Sequence, residues 1–157
     1  MFDNLLRRLV APAPQRLPDA DARLALAALL VRVAKADGNY AVTEIARIDR
    51  ILARRHGLDA VAAAQLRAQA EVLEHAAPDT VRFTRAIKDA VPHDDRIAVI
   101  EALWDVALAD GGRASDEDAL LRLVAPLLGI DDQDSALARR RVEARRAQGG
   151  PAPWGQP

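Results

Sequence analysis

Ala36-Asp37-Gly38-Asn39-Tyr40-Ala41-Val42-Thr43-Glu44 closes one apolar run and opens another. The same figure returns as Ala109-Asp110-Gly111-Gly112-Arg113-Ala114-Ser115-Asp116-Glu117. Each copy follows an apolar helical run, turns on a glycine, and sets a Glu seven positions after its Asp. Glycine is the residue that most easily takes the left-handed conformation ending a helix. Each stretch therefore predicts a helix–turn–helix corner, and the rest of the chain reads as the helices that hold the two corners.

Shifting the chain by 73 residues aligns its halves. Leu30 falls on Leu103, Val33 on Val106, Ala34 on Ala107, and Ala36-Asp37-Gly38 on Ala109-Asp110-Gly111. Ala41 falls on Ala114, Glu44 on Glu117, Ala46 on Ala119, and Asp59 on Asp132 with one slipped residue near Gly57 and Gly129. Two copies of a helix–turn–helix–helix unit predict a pseudo-two-fold domain, since an open solenoid needs at least three repeats.

Composition agrees with an all-α fold. Half of the 157 residues are apolar but only 3% are aromatic, so Ala, Leu, Val and Ile must fill the core. Ala and Leu are strong helix formers, and small side chains let helices pack closely. The 22 basic and 23 acidic residues nearly cancel, which argues against a dedicated nucleic-acid binder. Arg139, Arg140, Arg141, Arg145 and Arg146 read as a solvated face offset by neighbouring acids. There is no cysteine, hence no disulfide, thiolate metal site or Cys nucleophile. The apolar run Leu24 to Val31 is too short to span a bilayer, and the N-terminus lacks a signal-peptide pattern. A soluble cytoplasmic protein is expected.

In order, residues 1–18 form an amphipathic segment with Phe2, Leu5, Leu6, Leu9 and Val10 at helical spacing, followed by a Pro-rich linker. That segment is expected to pack on the protein's own core, with peripheral membrane contact as the alternative use. Residues 19–147 form the helical domain of about seven helices, and 148–157 a disordered tail. Asp19 or Asp21, Asp59, Ser115, and Asp131 or Asp132 are the expected helix caps. Pro126 marks a late kink or early end, and Trp104 belongs to the core.

The corners carry the candidate chemistry. Asp37 and Asp110 sit at helix C-termini, where exposed carbonyls disfavour a carboxylate by about 0.3–1 kcal/mol. A compensating cation would explain that placement in both copies. Asp37, Asn39 and Glu44 in the first corner, and Asp110, Asp116 and Glu117 in the second, offer hard oxygen ligands suited to Ca2+ or Mg2+. The competing reading is structural, with Gly38 and Gly111 as helix stops, the Asp residues as turn formers, and Glu44 and Glu117 as helix-start acids. The spacing is not that of an EF-hand.

Two apolar helices each ending in Ala-Asp-Gly, with a Glu seven on from the Asp, resemble the TerB-like family of tellurite-resistance and stress proteins. The likeness runs over roughly residues 22 to 130. It implies an all-α, pseudo-two-fold domain with an acidic patch that takes metal ions, acting in bacterial stress response, often near the membrane. Asp37, Glu44, Asp110 and Glu117 fall on the family's acidic positions. Val42 departs from the second copy, where Ser115 stands, so the cap of that helix must come from Thr43 or elsewhere.

No enzymatic signature accompanies this. His56, His75 and His93 are scattered, and no nucleophile elbow, phosphate-cradling glycine loop or dinucleotide fingerprint occurs. His56 reads as a partner of its helix's C-terminal dipole, and Glu71, Glu74 and His75 as a solvated face. The expectation is a non-enzymatic cation-binding module with protein partners. The alternative is a protein–protein interaction module whose acidic turns are purely structural.

Overall fold

The computed structural model describes residues 5–7, 19–36, 38, 40–77, 79–108 and 115–148. The described residues hold no strand, and the chain is an all-α bundle. Its elements are α1 (Asp19–Ala34), α2 (Val42–His56), α3 (Ala60–Ala76), α4 (Thr80–Ala90), α5 (His93–Ala107), α6 (Ser115–Leu127) and α7 (Asp132–Gln148). Residues 5–7 are also helical, and Leu5 is buried with Leu6 packed against the core. The prolines expected to form a linker, and the tail beyond 148, lie outside the described residues.

The run Leu24 to Val31 leaves α1 no polar face, so every one of those residues is buried. An all-apolar helix must be surrounded, and α2, α3, α4, α5 and α6 all pack on it. Its pseudo-equivalent α5 is similar, with Val99, Ile100, Ala102, Leu103, Trp104, Val106 and Ala107 buried. In α2 the inward positions are Ile48, Ile51 and Leu52, with Ile45 only half-buried. In α3 they are Ala63, Ala70 and Leu73, whereas Val61 and Val72 face solvent.

The repeat is carried into the packing. The α1–α3 and α5–α7 pairs make the most extensive contacts, and the cross-contacts α2–α5 and α6–α1 are mates of each other. The offset is 73 through the first helix and the early turns of the second in each unit, and 72 from the last turn of the second helix onward. Gly57 and Gly129 both end helices in the left-handed conformation, at φ 64° and 79°. The N–H of Leu58 donates to the Ala53 carbonyl and that of Ile130 to the Ala125 carbonyl, each at 2.9 Å. The caps that follow are Asp59, accepting from Ala62 N at 2.7 Å, and Asp131, accepting from Asp134 N at 2.8 Å. Asp59 therefore matches Asp131, not Asp132 as the sequence alignment has it. Ser115 is the first helical residue of α6 instead of its cap.

The two C-cap glycines differ in surroundings. A Cβ at Gly57 meets open space, while one at Gly129 lands 2.7 Å from Arg96 Nη1. Gly57→Ala should cost about 1–2 kcal/mol for the left-handed backbone alone. Gly129→Ala should cost about 1 kcal/mol more, because Arg96 must give up its 3.1 Å bond to the Leu128 carbonyl. Urea unfolding of the two variants checks the difference; equal losses would mean that Arg96 moves aside freely.

One pair of contacts is repeated with its charges exchanged. In the first half Arg32 of α1 reaches Glu74 of α3, Nε to Oε2 at 3.2 Å and Nη2 to the main-chain carbonyl at 3.0 Å. In the second half Asp105 stands where Arg32 does, and Arg146 where Glu74 does. Arg146 Nη1 donates to Asp105 Oδ1 at 2.9 Å and to the Asp105 carbonyl at 3.0 Å. Lys35 adds a second cation to Glu74 at 2.8 Å, and Arg47 stands 3.7 Å from Asp105. Burial raises the Glu74 carboxyl, but the bonds from Lys35 and then Arg32 together outweigh it and hold it below the usual carboxylate range. Glu74 is thus a fixed ion-pair partner, 12% exposed at its side chain, and not part of a solvated face.

Candidate functional site

The first corner runs from the end of α1 through Gly38, at φ 78°, to the start of α2. Ala41 occupies the N-cap position and has no oxygen to offer the helix. Glu44, third residue of α2, supplies the missing function from the other side, its Oε1 accepting the Ala41 N–H at 3.2 Å. This is half of a capping box, and it answers how a helix with Val42 in place of Ser115 is capped. Glu44 is only 1% exposed, an unusual depth for a carboxylate at a helix start.

Of the six proposed cation ligands, Glu44 is the one whose side chain is described. Asp37, Asn39 and Asp110 lie outside the described residues. Asp116 and Glu117 are placed in the first turn of α6, where acids suit the helix dipole; their side chains lie outside what is described. Among the described residues no three of His, Cys, Asp and Glu gather as a cation site would require.

Beside the corner lies a network that sequence reading missed. Arg67 of α3 donates from Nε to Asp49 Oδ1 of α2 at 2.6 Å and from Nη1 to Glu71 Oε2 at 3.3 Å. Tyr40, the chain's one tyrosine, is half-buried beside Glu71; burial first, then that carboxylate, push its hydroxyl well above its ordinary value. The i,i+4 spacing of Arg67 and Glu71 was the visible signal. Asp49 also lines a groove of about 650 Å³ between α2 and α3, floored by Ala46, Ala53, Leu58 and Ala63.

His56 corrects a second expectation. Burial, then the nearby guanidinium groups of Arg23 and Arg55, push its imidazole down to about 4. At neutral pH it is uncharged and offers the helix dipole no cation; Arg54 and Arg55 in the same turn do that. The C-terminal arginines are offset by acids on α5 as expected. Arg145 meets Glu101 at 3.1 Å, Arg141 meets it at 3.6 Å, and Arg146 meets Asp105. Arg139 lies over the Trp104 ring, 4.8 Å from its centroid, and Trp104 Nε1 donates to Ser135 Oγ at 3.1 Å. Among the described residues no helix is long and apolar enough to cross a membrane.

The family model of the tellurite resistance protein TerB matches residues 23–140, which takes in both corners and six of the seven helices whole or nearly so. No curated protein and no solved structure matches.

Proposed function

Because this chain belongs to the TerB family, we propose that it is a non-enzymatic module holding a divalent cation, Ca2+ or Mg2+, at its acidic corners. Its setting is a bacterial stress or tellurite-resistance response, with other proteins as partners. The observation that supports this reading is the equivalent placement of two glutamates. Glu44 is the third residue of α2 and Glu117 the third residue of α6, each seven residues after the Asp of its corner. An Asp, main-chain carbonyls and a Glu within one turn are the kind of oxygen donors that hard cations take.

Calorimetric titration with Ca2+, Mg2+ and Zn2+ tests it. Wild type should give binding heat with Ca2+ or Mg2+, and Asp37→Asn/Asp110→Asn should weaken the affinity by about tenfold or more. No heat with any ion, and no difference between the two proteins, would sink the proposal.

A second reading, an interaction module with structural corners, draws on the bond from Ala41 N–H to Glu44 and on the α2–α3 groove. Under that reading the titrations are silent and Glu44→Ala lowers stability by about 1 kcal/mol through the lost cap.

A further inference from the structure

The last turn of α2 carries donors that nothing among the described residues satisfies. Arg54, Arg55 and His56 form that turn. The Nε2 atom of His56 is buried and has no hydrogen-bond partner. Arg55 is half-buried, and burial lowers its guanidinium below the ordinary arginine value. Among the described residues the side chain of neither Arg55 nor Arg23 of α1 makes a hydrogen bond or ion pair. Asp95, in the first turn of α5, is the acid that acts on Arg55, and it stays exposed and beyond ion-pair reach. A half-buried guanidinium with no counter-ion in reach, as at Arg55, is costly.

The pseudo-symmetry supplies a control inside the same molecule. Arg23 is equivalent to Arg96 by the offset of 73, and His56 to Leu128 by the offset of 72. Arg96 closes its corner, donating to the Leu128 carbonyl at 3.1 Å and to the Val91 carbonyl at 3.2 Å. In the first half the equivalent corner holds two guanidinium groups and an imidazole with no acceptor among them.

We propose that the corner formed by Arg23, Arg55 and His56 is a binding site for a phosphate-class dianion. Two guanidinium groups match a double negative charge, where a single carboxylate would leave one of them uncompensated. The imidazole can offer the anion a third N–H even when neutral, and a nearby negative charge raises its midpoint. The charged groups acting on the imidazole are Arg23 on α1 and Arg55 on α2, and the one acid acting on Arg55 is Asp95 on α5, so the corner is net positive before binding.

The chain has three histidines, so their ring resonances can be followed separately by NMR as the full-length protein is titrated from neutral pH downward. Sulfate, which stays a dianion throughout, should raise the His56 midpoint from about 4 by about one pH unit or more, relative to chloride at matched ionic strength. Arg23→Gln and Arg55→Gln should abolish that response, while Arg50→Gln, on the exposed side of α2, should keep it. Arg23 is exposed, so its variant should fold even where Arg55→Gln does not. Identical His56 titrations in sulfate and chloride, or an unchanged sulfate response in Arg23→Gln, would overturn the site. Two further arms separate sources of the same chemistry. Co-sedimentation with phosphatidic acid vesicles, lost in Arg23→Gln, identifies a lipid headgroup. A response to glycerol phosphate without vesicle binding identifies a soluble phosphate ester.

Discussion

Leu30→Ala and Leu103→Ala should each lower the unfolding free energy by about 3–4 kcal/mol. The two leucines are equivalent in the repeat, lie on the two central helices, and are at most 1% exposed. Each truncation removes apolar area from the core and leaves a void that flanking helices cannot fill, because α1 and α5 are enclosed by their neighbours. A loss of that size corresponds to a fall in Tm of about 10 °C for a domain of this length. Thermal and urea unfolding measure it. Val42→Ala is the reference, since Val42 is 80% exposed and its truncation should stay within about 0.5 kcal/mol. Should only Leu103→Ala be costly, the two halves would not share one core.

The second large effect concerns the exchanged ion pairs. Asp105→Ala should cost about 3 kcal/mol, since it strips Arg146 and Arg47 of a carboxylate that is only 6% exposed. Arg32→Asp should cost about 2–3 kcal/mol, because it sets a second carboxylate face to face with Glu74. The molecule itself indicates the remedy. Arg32→Asp/Lys35→Leu/Glu74→Arg gives the first half the pattern of the second, where Leu108 stands in the place of Lys35. That triple variant should recover most of the loss of the single one. Failure to recover would mean that the surroundings of each pair, and not merely its polarity, are matched to one orientation.

The helices and their repeat were legible because periodicity, glycine stops and caps are local signals. Gly57 and Gly129 marked helix ends, and Trp104 was rightly placed in the core. The exchanged pairs were not legible, because Arg32 opposite Asp105 looks like a mismatch until both are seen with partners forty residues away. Glu74 was misread for the same reason: its partners lie far off in sequence, Arg32 on α1 and Lys35 in the turn just past its end. His56 was misread because position in a helix indicates which charge is welcome, whereas burial decides whether the charge exists. In the corners, the family and the Glu44 position were readable. What Glu44 does was not, because a helix-start glutamate and a cation ligand carry the same sequence signature.

The reversed polarity of Arg32–Glu74 and Asp105–Arg146 also bears on how the chain finds its fold. Two near-copies of one unit risk docking each central helix on the wrong outer helix while folding. If α1 took α7 in place of α3, Arg32 would face Arg146; if α5 took α3, Asp105 would face Glu74. Both mispairings set like charges together in partly buried positions, whereas both correct pairings join opposites. The exchange of charges thus acts as a key that tells two otherwise similar halves apart.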